Sequence, residues 1–413
     1  MKANQKRLVF SILIRFYICY HYKIEEKIKG VRSMIYFDNS ATTRPFKEVI
    51  ETYIKVSQAF FGNPSSLHTL GKEAERLLDQ GRVHVAKLLN VNKNEIIFTS
   101  GGTEGNNLAI KGTALQHKGR GKHLITSKIE HASNYEAYAQ LEKYGFRVTY
   151  LNVNHEGLIC VEELKQALCD DTILVSLVHV NNELGSVQPI KQVGQLLKEF
   201  PKIYFHVDDV QGIGKVPLDV KNCFIDLYTI SGHKFHGPKG TGVLYARQGV
   251  KLESLFTGGI QENKMRAGTE NIPAIIGMVK ALRMTFENTI ERINHLNELK
   301  EHLLYQLRAL EDIVINTPVE NSAPHIVNFS IKRLKPEVMI SALSESNIYV
   351  STKSACSSKL AEPSRVLIEA GLGKERAETA IRVSFAFDNT IEEVDHFILV
   401  LSQLIPQLKE VMR

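Results

Sequence analysis

Short runs of β-branched and aromatic residues recur along the chain, separated by stretches in which apolar residues return every three or four positions. The runs are EIIFTS (95–100), HLITS (123–127), RVTYLNV (147–153), TILVSLVHV (172–180), IYFHVD (203–208), IDLYTI (225–230) and GVLYAR (242–247). Several are apolar throughout rather than alternating, as in strands buried on both faces, and the helix-length spacers supply the covering layers. The pattern predicts an α/β domain with a mostly parallel seven-stranded sheet flanked by helices. Only about ten residues separate the last two runs, fewer than a parallel crossover requires, so that pair is expected to be antiparallel.

From Ile275 to Asp312 there is no proline and one glycine, Gly277, and apolar residues fall at Ile293, Leu296, Leu299, Leu303, Leu307 and Leu310. One long helix leaving the sheet domain is expected there. Beyond Thr317 the patterns restart in HIVNFSI, IRVSFAF and EEVDHFILVLSQLIPQL. The expected organisation is a large domain over 50–290, a smaller α/β C-terminal domain over 291–413, and a segment, 34–49, that packs with the small domain.

Residues 1–33 stand apart. LVFSILIRFYICYHY follows KANQKR and imitates a signal peptide, but Arg15 interrupts it and no small-residue cleavage site follows. It also falls short of the about 18–20 apolar residues of a spanning helix. MIYFDNSATT starts a clear strand pattern at Met34, so 1–33 is read as a non-domain extension, upstream sequence, with a peripheral membrane anchor as the alternative. The extension also accounts for the charge. It holds eight Lys/Arg against two Glu, and the remainder carries 43 residues of each sign, so the net +6 belongs to the extension alone. The body offers no field for nucleic acid or an anionic membrane, and neither is expected as a partner. Cys19, Cys160, Cys169, Cys223 and Cys356 form no C-x-x-C and no zinc-spaced pairs with histidine. No metal is expected. Free thiols in the cytoplasm are, with Cys160, Cys169 and Cys223 as small buried hydrophobes.

In open α/β sheets ligands sit beyond the carboxyl ends of the strands. There the first run gives SGGTEGNN, in which Gly101 and Gly102 permit close backbone approach, Thr103 adds a hydroxyl, and the following helix offers free N–H groups to an anion. A plain glycine turn with a helix cap is the competing reading. The nucleotide motifs fail: SGHKFHGPK has Pro238 where a P-loop needs lysine, and neither GIGKVP nor GLGKER completes G-x-G-x-x-G. IYFHVDDVQ ends its strand with Asp208, Asp209 and Gln211, and SGHK ends the next with Lys234. A phosphate cradle, a strand-end carboxylate for a cationic ring nitrogen and a strand-end lysine that can hold an aldehyde are the parts of a pyridoxal 5′-phosphate site. Ser231 and His233 then stand where a phosphate would be held, Gly237, Pro238 and Gly240 shape the return hairpin, and His236 is read as a turn residue.

YFDNSATT, FGNPSSLH, FTSGGTEGNNLAIKG, TSKIEHAS, LVSLVHVNNELGSVQPI, HVDDVQ, SGHKFHGPKGTG, MRAGTEN and STKSACSS, taken in this order, resemble the cysteine desulfurase (NifS/IscS-like) branch of the class V aminotransferase-fold enzymes, from about Met34 to the C-terminal helix. The resemblance implies fold type I of the pyridoxal-phosphate-dependent transferases. It makes Lys234 the lysine that carries the cofactor, Asp208 the partner of the ring nitrogen, and His131 the residue that stacks on the ring and moves protons. Asn182 and Gln211 fall near the ring oxygen, and Gly102, Thr103, Ser231 and His233 at the phosphate. Thr269 would reach the phosphate of the other subunit, which implies a homodimer. Arg382 would grip the carboxylate of L-cysteine, as a planar bidentate donor suits, and Asn182 would contact the substrate as well. Singly, His131 reads equally as a helix cap, Asn182 as a turn residue and Arg382 as a surface cation. The family commonly has Asp-Ala-Thr-Gln where this chain has Asp208-Asp209-Val210-Gln211; strand alternation turns Val210 to the ring side with Asp208 and Asp209 away.

Cys356 decides between reactions of this fold. It lies among serines, threonine and alanine with Lys353 and Lys359 nearby, a polar setting that favours thiolate. Such a thiolate can take sulfur from cysteine as a persulfide, leaving alanine. A lyase or aminotransferase of the same fold, including a selenocysteine-lyase-like enzyme, would dispense with it, and a non-catalytic scaffold would dispense with Lys234. Acceptors in keeping with the resemblance are an iron–sulfur scaffold, a tRNA-thiolation enzyme or a thiamine-pathway protein.

Overall fold

The computed structural model describes residues 34–352 and 362–411. After a short strand, β1 (Ile35–Tyr36), come the seven expected from the apolar runs: β2 (Ile96–Thr99), β3 (His123–Ser127), β4 (Arg147–Leu151), β5 (Thr172–Val178), β6 (Tyr204–Asp208), β7 (Leu227–Ser231) and β8 (Gly242–Ala246). They form one sheet in the order β2-β8-β7-β6-β5-β3-β4. The neighbours from β4 to β7 are parallel. Strand β8 runs antiparallel to both β7 and β2, as its short connection to β7 dictates. Every residue of β5 is buried. Its Val175 and Leu177 enter one apolar core, with Phe205 and Ile230, while Leu174 enters another with Leu124 and Tyr138. Helices covering both faces explain why these runs do not alternate.

Register brings the strand ends level: Val178 pairs with Asp208, Asp208 with Thr229, Ser231 with Gly242, and Gly242 with Thr99.

The single long helix expected over 275–312 is two, Ile272–Phe286 and Thr289–Arg308. Glu287 is extended (ψ 133°), and Asn288 is left-handed at φ 52°, a conformation asparagine adopts at lower cost than most residues. Beyond it, β9 (Ile313–Ile315), β10 (Ile326–Ile331), β11 (Ile348–Tyr349) and β12 (Ala380–Ser384) follow. An antiparallel sheet β12-β10-β9 packs on a core of its own that includes Leu296, Leu303, Phe329, Leu343, Val383 and Phe397. Strand β1 pairs in parallel with β11, and Phe37 enters this second core.

Cys223 is buried as expected, but Cys160 and Cys169 are exposed. The first sits at the N-cap of helix Val161–Ala167 and the second in the turn before β5, where neither side chain meets a packed layer. No helix among the described residues is long and apolar enough to cross a membrane.

Candidate active site

Loops at the carboxyl ends of β2, β5, β6 and β7 enclose a cavity of about 450 Å³, within the range of small-molecule sites. Gly102, Thr103, His131, Asn182, Asp208, Val210, Gln211, Ser231, His233, Lys234 and Arg382 all line it. Thr269 does not; it is exposed on the loop before helix Ile272–Phe286. Cys356 and residues 1–33 lie outside the described residues.

Asp208 forms the floor. Its Oδ2 accepts from Asn106 Nδ2 at 2.7 Å and Asn134 Nδ2 at 3.3 Å, and its Oδ1 from the Val210 N–H at 3.0 Å. Burial pushes the carboxyl up to about 6, against the pull of these donors. Three donors leave acceptor capacity on a group with four lone-pair positions. Lys234 follows β7 in a single 3-10 turn, Gly232–Lys234, and its ammonium donates to the carbonyl of Ser40 and, at 2.9 Å, to that of Ala41. Gln211 Nε2 reaches the same Ser40 carbonyl at 3.0 Å.

His131 caps helix Ala132–Lys143, as its structural reading has it, and its side chain also lines the cavity. Its Nδ1 accepts from the Ser133 N–H at 3.1 Å, which places the proton of the neutral ring on Nε2. Burial, then the charges of Lys234, Arg365 and Arg382, lower its pKa to about 4. His233 is lowered to about 3 by burial and by Lys234 and Lys239, and its Nδ1 lies 3.2 Å from Thr42 Oγ1.

Arg382 lies on β12 of the second sheet and is fully buried. Its Nη1 donates to the Asn182 carbonyl at 2.7 Å, and its Nη2 to Asp38 Oδ1 at 3.0 Å and Ser351 Oγ at 2.7 Å. Its Nε finds no hydrogen-bond partner among the described residues. A buried unmatched donor costs about 1–3 kcal/mol, which an incoming carboxylate would recover.

These residues fit pyridoxal phosphate. Gly101 has φ 151°, and a Cβ on Gly102 would lie 2.8 Å from Val210 Cγ2, so the cradle has room for bare backbone only. A helix starts at Gly102, and its first N–H groups have no intrahelical acceptor. Asp208 and Lys234 share the cavity with that cradle.

Sequence reasoning missed the groups that hold the site. Asn106 and Asn134 brace Asp208, although Asn106 stands in plain view in TEGNN. The Ser40 and Ala41 carbonyls take the Lys234 amine from DNSATT. Lys215, read only as part of a failed nucleotide motif, is buried and donates to the Lys234 carbonyl at 2.9 Å. His236 is more than a turn residue: it is buried at φ 64°, stacks on Phe46 at 4.2 Å, and bonds the Arg44 carbonyl at 2.8 Å, holding the N-terminal segment.

Residues 35–397 match the family described as Aminotransferase class-V. Cysteine desulfurase IscS of Clostridium botulinum is 43% identical over 383 residues, 92% of this chain and 96% of that protein. A solved NifS-like protein superposes with a TM-score of 0.86 at 37% identity, covering 91% of this chain and 100% of that one. SspA, solved in complex with cysteine, superposes at 0.75 with 34% identity, covering 85% of this chain and 98% of that one. With a lysine, a carboxylate and a glycine cradle on one cavity, and with matches over nine-tenths of its length, the chain belongs to the pyridoxal-phosphate-dependent class V aminotransferase family, in its NifS/IscS cysteine desulfurase branch.

Proposed function

We propose that the protein converts L-cysteine to L-alanine and passes the sulfur on as a persulfide of Cys356. The observation that carries this reading is the convergence of Asp208, Lys234, His131 and Arg382, from four separate strands and loops, on one cavity. Pyridoxal phosphate, when bound, supplies an electron-withdrawing ring that makes the Cα proton of an amino acid labile and its Cβ–S bond breakable. Lys234 would hold the group covalently, and its amine would serve as a base within the cavity. Asp208, kept in place by Asn106 and Asn134, would keep the ring nitrogen protonated. Gly102, Thr103, Ser231 and His233 would hold the phosphate, and Asn182 and Gln211 the ring-oxygen side. His131, neutral over the physiological range, can give a proton from Nε2 or take one back. Arg382 would turn its unmatched Nε toward the substrate carboxylate.

Cys356, as thiolate, would attack the substrate sulfur. The new S–S bond forms as the C–S bond breaks, the electron pair goes to Cβ, and a proton completes alanine, so no external oxidant enters. The persulfide then awaits an acceptor protein of an iron–sulfur, tRNA-thiolation or thiamine pathway, and the cytoplasm is where such thiols stay reduced.

A homodimer completes this reading. Phe61, Leu67, Phe256 and Ile260 are exposed, and Gln261 links their two loops through Ser65 Oγ at 3.5 Å and the Gly268 N–H at 3.3 Å, beside Thr269. Such a patch suits a second copy of the chain, to whose phosphate Thr269 would be delivered. The separate apolar cores favour a division into 50–290 and 291–413; of the segment 34–49, Ile35 and Phe37 join the second core while Phe46 and Val49 join the first.

Borohydride reduction of the holoprotein followed by peptide mapping is expected to label Lys234. Cys356→Ser is expected to keep the absorbance change on adding cysteine while alanine formation falls by about a hundredfold or more, because a serine hydroxyl is scarcely ionised at neutral pH. Label on another lysine, or alanine made at the parent rate, would overturn the proposal.

A further inference from the structure

Asp209, one residue beyond the cavity floor, points to the opposite side of the sheet and is fully buried. Its Oδ1 lies 2.5 Å from His179 Nδ1, and its Oδ2 accepts from the Tyr228 hydroxyl at 2.5 Å. His179 also donates its backbone N–H to the Asp208 carbonyl at 2.8 Å, so it grips the 208–209 pair at two points. A Cβ on Gly212 would fall 2.1 Å from Asp209 Oδ1, so the chain passes bare over the pair. Lys215 adds a buried cation. Burial lowers its pKa to about 8, Asp209 is the charge that opposes this, and its ammonium bonds the Lys234 carbonyl.

A lone buried carboxylate is costly, and a small apolar side chain would fill this space without that cost. What the carboxylate adds is connection. His179 immediately follows β5, three residues before Asn182; Asp209 immediately follows Asp208, the last residue of β6; Tyr228 lies in β7, which leads to Ser231 and Lys234. The strands are adjacent in the sheet, and each carries a residue of the proposed site.

Resting on the reading of Asp208 and Lys234 given above, we infer that Asp209 is a positioning residue: its carboxylate fastens the ends of β5, β6 and β7 behind the cavity and places a fixed negative charge next to Asp208. That charge favours the protonated, cationic form of whatever Asp208 and Lys234 hold.

The test uses full-length holoprotein without substrate. The visible absorbance of the bound cofactor is titrated with pH for the parent, Asp209→Asn and Tyr228→Phe, and cofactor retention is measured by dialysis. Asp209→Asn keeps the shape and removes the charge, so the apparent pKa of the band is expected to fall by about half a pH unit or more. Tyr228→Phe keeps the charge and cuts one tether, so the band is expected to move by less than half as much while cofactor dissociation rises roughly threefold to tenfold. If both variants titrate and retain cofactor like the parent, even with lowered melting temperatures, Asp209 merely fills the core and the inference falls. Should Asp209→Asn fail to fold, unchanged retention in Tyr228→Phe overturns it alone. Parent protein not labelled at Lys234 by borohydride would instead fell the functional reading on which this rests.

Discussion

The two ends of the seven-stranded sheet carry similar side chains to different effect. At the amino ends of β3, β4 and β5, donor atoms of His123, Cys169 and Asp171 lie within 4.8 Å of one another. Each already has partners. His123 Nδ1 is 2.7 Å from Thr172 Oγ1 and 3.0 Å from Cys169 Sγ, and its Nε2 is 2.9 Å from Thr149 Oγ1. Arg147 donates to Asp171 at 2.8 Å and to Cys169 at 3.5 Å, supplying the positive charge a metal would otherwise bring. At the carboxyl ends, Ser40 Oγ, Asn106 Oδ1, Asn134 Oδ1 and Arg382 Nε are buried without partners among the described residues. Reactive residue types are therefore a poor guide to a site. Buried atoms without partners among the described residues also occur away from the cavity, as at Tyr138, Ser186 and His325. What sets this end apart is that those of Ser40, Asn106 and Arg382 belong to residues lining a cavity, where a ligand can satisfy them.

The comparison can be broken at either end. The largest effect is expected from Arg382→Lys, which keeps a charge but cannot reach Asp38, Ser351, the Asn182 carbonyl and a substrate together. KM for cysteine should rise about tenfold to a hundredfold, with a smaller change in kcat, in steady-state alanine assays; an unchanged KM would detach Arg382 from the substrate.

A middle-sized effect concerns acid. Folding, chiefly through burial, lowers His131 and His236 to about 4 and His206 and His233 to about 3, below their ordinary 6.5. Groups depressed in the folded state give stability that is present above pH 6.5 and lost as pH falls toward 4. Burial raises Asp208 to about 6 and Glu130 to about 7, which works the other way over the same window. His117, His123 and His325 are lowered as well and Asp226 and Glu270 raised, so seven histidines outweigh four carboxyls, and the cofactor-free protein should melt at a lower temperature at pH 5 than at pH 7.5. Equal melting temperatures in a calorimetric scan would refute this.

The smallest effect belongs to the opposite end of the sheet. Cys169→Ser should leave alanine formation within about twofold and the melting temperature within a few degrees, as for a surface substitution. A larger loss of activity would erase the contrast between the two ends.

Much of this architecture was legible in the chain. Apolar runs such as TILVSLVHV announced buried parallel strands, and their last residues, from Ser231 to Lys234 and Asp208 to Gln211, announced the cavity. What stayed hidden depends on long-range approach. Nothing near Arg382 says that Asp38 and Ser351 will flank it, and nothing near Lys234 says that the carbonyls of Ser40 and Ala41 will receive its amine. The break at Asn288 escaped because helical periodicity continues on both sides of it. The exposure of Cys160 and Cys169 escaped because composition carries no information on whether a turn is covered.

Residues 35–43 pair with β11, bond Arg382 and Ser384, and receive the Lys234 amine. Asp38 and Arg382 are 344 residues apart in the chain. At about 5–20 residues per second, a ribosome needs roughly 20 s to more than a minute to synthesise that separation. During that interval the large sheet can fold while the first segment waits for a partner not yet made. If Arg382 grips the substrate as proposed, the pocket cannot be finished on the ribosome until β12 has emerged, and a nascent chain released early would retain Lys234 and Asp208 but lack that grip.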